Sequence, residues 1–175
     1  MPLNLIKVYP DLLELLQFNE KQRIVSLNAI FKRDIEENEN FKFKGKSIYP
    51  VKKDGQPTMQ TLFRHLTTKD NLDSTGKKTG SRSFEMQRSQ RLHWIKHHID
   101  GNKNGNVEVF SFEDRIEGKS KIRTYIYDVE QAYVIVLEPY RNAAEYYLLT
   151  AYYLNESQGK KQINKKLSKK LEILY

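Results

Sequence analysis

The chain has no cysteine, which excludes a disulfide framework, a thiolate metal site and a cysteine nucleophile. It also lacks any apolar run near the ~18–20 residues that a membrane-spanning helix requires. Its first ten residues hold one lysine and no long apolar stretch, so they do not read as a secretory signal. Acidic residues are in deficit: 22 Asp+Glu face 30 Lys+Arg, for a formal charge of +8. What is present suits a folding chain. Of 175 residues 38% are hydrophobic, with 11 Tyr and 8 Phe, so the charge rides on a sequence able to build a core. That length fits one domain, which buries about 70% of its unfolded surface without a covalent staple. The expectation is a soluble, cytoplasmic, basic protein whose charge favours a phosphate-rich or otherwise acidic partner.

The first forty residues predict a helical pair. Pro10 and Asp11 open a short helix holding Leu12, Leu13, Leu15, Leu16 and Phe18. Asn19 and Gln22 then have capping-box spacing, with Phe18 placed as a hydrophobic staple. Ile24, Leu27, Phe31 and Ile35 follow at helical spacing. Residues 41–51 alternate around Gly45 and Pro50, predicting a strand or short hairpin at a sheet edge. Pro57 opens a helix carrying Met59, Leu62, Phe63 and Leu66, with His65 at its edge between Thr61 and Thr68. Residues 68–82 have no apolar period and read as a mobile loop, after which Ser83 caps a helix over 84–100, ended by Gly101 and Asn102.

Beyond residue 106 the period becomes two. Runs at 107–112, 121–127, 133–138 and 146–154 are rich in β-formers, and short polar turns between them predict antiparallel hairpins. The run 133–137 is apolar on both faces and so predicts a central strand. Ile163, Leu167, Leu171 and Leu174 predict a last helix, flanked by lysine pairs at 160/161, 165/166 and 169/170. The class is α+β: N-terminal helices, a four-stranded antiparallel sheet and a basic C-terminal helix. One domain, 1–175, then holds a helical pair (1–40), a core (41–155) and the basic helix (156–175).

The 84–100 segment carries the chemistry. On a regular helix Phe84, Leu92, Ile95 and Ile99 form one stripe, with Arg88 in its middle and Arg91 on its flank beside Trp94 and His98. His93 and His97 then face solvent; their zinc-pair spacing lacks the glutamate of a zincin motif, so no metal is expected. A desolvated arginine requires a carboxylate or a ligand anion. Two readings stay open: a structural Arg–Glu pair, or a guanidinium fork lining a phosphate cleft. Alternation puts Arg123, Tyr125 and Tyr127 on one strand face, and Tyr146, Leu148, Thr150 and Tyr152 on another. Tyrosine stripes also serve as half-buried packing, and Thr150 as a cross-ladder hydroxyl. The lysine pairs suit either a solvated face or contact with a phosphate backbone.

The pattern Arg88-x-x-Arg91-Leu92-x-Trp94-Ile95, followed by RTYIY (123–127), YVIVLE (133–138) and YYLLTAYY (146–153), resembles the phage-type members of the barnase–EndoU–colicin–RelE-like nuclease superfamily. Phe63-Arg64-His65-Leu66 is similar to a Phe-x-His-Leu element of some of them. The resemblance spans roughly residues 40–155. It implies the BECR-like fold, metal-independent RNA cleavage without a cofactor, and a toxin role in prophage, toxin–antitoxin or bacterial-competition settings. By position it implies Arg88, Arg91, Arg123, Thr150 and His65 as catalytic. An acidic antitoxin or immunity protein is the partner it suggests.

Such cleavage needs a base for the 2′-hydroxyl, cations for the phosphorane and an acid for the leaving 5′-oxygen. Arg88, Arg91 and Arg123 supply charge, and His65 is the candidate proton carrier, since imidazole titrates near neutrality. Thr150, Tyr125, Tyr152, Lys96 and Trp94 are candidates for binding phosphate, ribose and bases. Two other readings share the composition. A non-catalytic nucleic-acid-binding regulator would show salt-dependent binding without cleavage; a protein-interaction module would ignore RNA.

Overall fold

The computed structural model describes residues 2–51, 58–101 and 105–175. The helix opening expected at Pro57 and the stop at Asn102 lie outside the described residues. A short helix α1 (Pro2–Leu5) leads into non-helical chain where the sequence predicts a helix from Pro10. Two facts explain the difference. Leu13 and Leu15 are buried while Leu12 and Leu16 are exposed, the period of extended chain. Asn4 then takes the backbone polar groups that a helix would use: its Nδ2 donates to the Glu14 carbonyl (3.1 Å) and its Oδ1 accepts from the Glu14 N–H (2.8 Å).

Helix α2 (Glu20–Phe31) begins as its spacing predicts, with the reciprocal Asn19–Gln22 capping box. A π-helical turn, Lys32–Glu36, extends it. Leu27, Phe31 and Ile35 are buried, but Ile24 is exposed. Strands β1 (Lys42–Phe43) and β2 (Lys46–Pro50) form a hairpin turned at Lys44 and Gly45, both left-handed. Helix α3 (Thr58–Thr67) buries Leu62 and Leu66.

Residues 68–82, expected as a mobile loop, instead belong to a two-stranded hairpin, β3 (Thr68–Leu72) and β4 (Lys78–Phe84). Its faces are polar on both sides, so no apolar period marks it. Polar bonds hold it: Asp73 Oδ1 accepts from the Thr75 and Lys77 N–H groups, and Gly76 supplies the left-handed φ the turn requires. The expected single helix over 84–100 is also corrected. Phe84 ends β4, and Glu85, not Ser83, caps α4 (Met86–Ser89) by accepting from the Arg88 N–H at 2.6 Å. A turn separates it from α5 (Trp94–Ile99). The break changes the helical phase, so His93 is buried and His97 stacks on Tyr9, while His98 is buried beside Trp94 as expected.

Strands β5 (Val107–Ile116), β6 (Lys119–Asp128), β7 (Tyr133–Tyr140) and β8 (Glu145–Tyr153) pair antiparallel in succession. The sheet is not four-stranded, however. Its order is β1-β2-β8-β7-β6-β5, six strands and mixed, because β2 adds parallel to β8 through Ile48↔Tyr146 and Pro50↔Leu148. β2 ends at Pro50, so it pairs with the first half of β8; helices α3 and α4 pack against that strand as well.

One apolar cluster joins Leu13, Leu15, Leu27, Ile30, Trp94 and Ile95 to Ile126, Ile135 and Leu137, so the first forty residues are core. The other face holds Phe110, Tyr125, Val134, Val136 and Ile163. Helix α6 (Ser157–Ser168) covers that second face and stops before Leu171, earlier than the apolar pattern predicts. The following tail hooks the edge strand β5: the Leu171 N–H donates to the Ser111 carbonyl (2.8 Å) and the Tyr175 N–H to Ser111 Oγ (3.0 Å). No described helix is long and apolar enough to cross a membrane.

Candidate active-site groove

A β-bulge decides which side chains face the open part of the second sheet face. Val136 pairs with Thr150 but Leu137 pairs with Leu148, leaving Leu149 as the extra residue. Strict alternation would have kept Tyr146, Leu148, Thr150 and Tyr152 together. The bulge divides them: Tyr146 and Leu148 enter the first core, while Thr150 and Tyr152 turn to the face that carries Arg123.

Three depressions of about 440, 500 and 300 Å³ lie along this face. The first contains His65, Lys121, Arg123, Glu138 and Leu149. The second shares His65 and adds Lys69, Asp70, Lys78, Arg82, Arg88, Thr150 and Tyr152. The third shares Lys69, Arg88 and Tyr152 and reaches Glu156 and Gly159 at the start of α6. Shared walls make them one groove. Thus five expected residues, His65, Arg88, Arg123, Thr150 and Tyr152, meet along a single channel.

Arg88 forms no ion pair with a glutamate among the described residues, and it lines the central depression. Its Nη1 donates to the carbonyls of His65 (2.7 Å) and Thr68 (2.8 Å), at the electronegative end of α3. Nε is buried without a hydrogen-bond partner among the described residues. Burial, then the nearby Arg82 charge, lowers its pKa from the usual guanidinium value. Arg123 lies 3.8 Å from Glu138, which Lys121 also approaches at 3.5 Å. Burial raises the pKa of the Tyr152 phenol, with Asp114 adding to the shift, so the hydroxyl keeps its proton and remains a donor.

Four expected residues lie elsewhere. Arg91 is 7% exposed, stacked over Tyr153 (3.9 Å) and bonded through Nη1 to the Gln87 carbonyl (2.7 Å), so it braces α4. Trp94 is buried, and its indole N–H donates to the Asp11 carbonyl at 3.0 Å. Tyr125 donates to Asp114 and accepts from Lys166 Nζ (2.8 Å), which ties α6 to the sheet. Lys96 pairs with Asp100 one helical turn on. Each was placed by a phase that the break at 90–93 shifts, or has its polar atom taken by a neighbour.

The sequence reading missed the hairpin's contribution. Lys69, Lys78, Arg82 and Arg88 surround the central depression against one carboxylate, Asp70, which Lys78 holds at 2.8 Å and Arg82 also bonds. Asp73–Gly76 between runs of Thr, Ser and Lys was the available signal. Among the described residues no cluster of three or more His, Asp or Glu is arranged to hold a metal ion. Comparison with family models, with curated proteins and with solved structures gives no match to this chain.

Proposed function

We propose that the groove binds RNA and cleaves it without a metal, the 2′-hydroxyl oxygen attacking phosphorus as the 5′-oxygen leaves. One proton comes off the 2′-hydroxyl and one is delivered to the 5′-oxygen, leaving a 2′,3′-cyclic phosphate. The observation that carries this reading is the central depression: four Lys/Arg and His65 against one carboxylate, beside a threonine hydroxyl and a protonated tyrosine. Such a wall attracts a phosphodiester and opposes the charge that grows on its oxygens. His65 is the proton carrier in this scheme. Thr150 and Tyr152 orient the phosphate and ribose, and Arg82 and Lys69 hold charge.

Single-stranded RNA incubated with the pure protein in EDTA should be cut. Thr150→Val and His65→Gln should each lower the rate by about 100-fold while thermal melts stay near wild type. Intact RNA with the folded wild type contradicts the reading. The toxin setting is part of the same proposal: expression arrests growth, the two substitutions relieve the arrest, and an acidic neighbour that covers the cationic groove restores growth.

A second reading, a regulator that binds nucleic acid without cutting it, is favoured by one observation. Arg88 and Arg123 both spend hydrogen bonds or charge on groups of the protein itself. Binding that weakens with salt, with no strand breaks in any buffer, would select it.

A further inference from the structure

Past the groove, the same sheet face ends in a tyrosine cluster that the cleavage scheme does not use. Tyr147 on β8 stands opposite Glu138 on β7 and beside Tyr49 on β2. Tyr140, at the end of β7, stacks on Tyr147 with ring centroids 3.8 Å apart and planes 7° from parallel. Tyr49 meets Tyr140 edge-on at 6.4 Å and is 44% exposed. These rings belong to neither of the two apolar clusters described above. They are therefore not explained as core packing.

Two features connect the cluster to the groove. A depression of about 550 Å³ beside it is lined by Tyr140, Pro139 and Asn142 together with Lys121 and Glu138, and the latter two also line the groove at Arg123. The turn from β7 to β8 carries Arg141, Asn142 and Ala143 through consecutive left-handed backbone (φ 51°, 56° and 60°). L-residues adopt this conformation reluctantly, and such outliers concentrate where a surface binds something. Arg141 lies 5.5 Å from the Tyr140 ring.

We propose that the Tyr140–Tyr147 stack is a base-binding subsite for single-stranded RNA. An unpaired base next to the cut nucleotide stacks on the tyrosines, while Lys121 and Arg141 meet the adjoining phosphates. In a duplex the bases are stacked on one another and shielded from such a platform; in a single strand each base offers a free π-face. The subsite thus selects unpaired RNA. It rests on the RNA reading above.

The test uses 2′-O-methyl oligonucleotides, which bind without being cut. Tyr140→Leu keeps apolar bulk and removes the ring; it should weaken binding of a single strand about tenfold, while Tyr140→Phe leaves it unchanged. A scan with one abasic position at a time, on the wild type, should find a site whose loss matches Tyr140→Leu and adds nothing in that variant. Equal affinity of Tyr140→Leu and wild type, or of wild type for single and double strands, overturns the subsite. If wild type cuts RNA yet binding ignores Tyr140, the subsite alone falls; if it neither binds nor cuts, the RNA reading falls first.

Discussion

Arg88 illustrates how one side chain can support a site without being its reagent. With Nη1 spent on the His65 and Thr68 carbonyls, it fixes the last turn of α3 and hence the histidine at the groove wall. Removing it takes the side-chain donor from the His65 carbonyl, while the Thr68 carbonyl still accepts from Arg82 Nη2 (2.8 Å), so Arg88→Ala should cost about 1–2 kcal/mol in urea denaturation. Thr150→Val should stay within about 0.5 kcal/mol, which makes Thr150 the cleaner probe of chemistry. A second residue network titrates. His98 has both ring nitrogens against acceptors, the Trp94 carbonyl (2.7 Å) and Asp128 Oδ2 (2.9 Å), and Tyr9 donates to the same Oδ2 at 2.6 Å. Burial alone would raise the Asp128 pKa; bonds from His98, Tyr9 and the Gln131 N–H outweigh it and hold the pKa below the usual carboxylate value. A depressed carboxylate stabilises the fold above its unfolded pKa of about 3.9, and that contribution is lost as pH falls through the lower folded value. Melting temperature should therefore drop more steeply below about pH 4 in wild type than in Asp128→Asn. Parallel curves would remove this role.

At the scale of elements, the β3–β4 hairpin brings three cations to the groove, and its turn is held by Asp73. Hydrogen bonds from Thr75 and from the Lys77 N–H keep that carboxyl below its ordinary pKa, as expected of an acceptor serving a turn. Asp73→Ala should speed amide exchange through 68–84 while leaving β7 protected; unchanged exchange there would show that the Asp70 bridges suffice. This hairpin also marks a limit of what the sequence discloses. The capping box at Asn19 and the all-apolar run of β7 are legible because local spacing and burial decide them. Short polar strands carry no apolar period, and the addition of β2 to β8 depends on a pairing about a hundred residues apart in sequence. The bulge at Leu149 is likewise set across strands. It turns Thr150 and Tyr152 toward Arg123, so these expected residues share a face for a reason that alternation alone did not provide.

For the whole molecule, the +8 charge matters because part of the excess, Lys69, Lys78, Arg82 and Arg88 against Asp70, gathers at the central depression. If Lys69, Lys78, Arg82 and Lys121 each meet a phosphate, binding of single strands should fall with a slope of about −3 in log K against log salt. Lys69→Gln should make the slope shallower by about 0.7; a slope near zero would mean that charge does not drive binding. The N-terminal segment packs into the same core as the central strands, so removing it should unfold the protein rather than release an arm. The most direct measurement compares two strands of one sequence in EDTA, all-ribo and all-2′-O-methyl, under single-turnover conditions. The account predicts that both bind but only the ribo strand is cut, leaving cyclic-phosphate ends. Equal cutting of the two, or none of either, would contradict it.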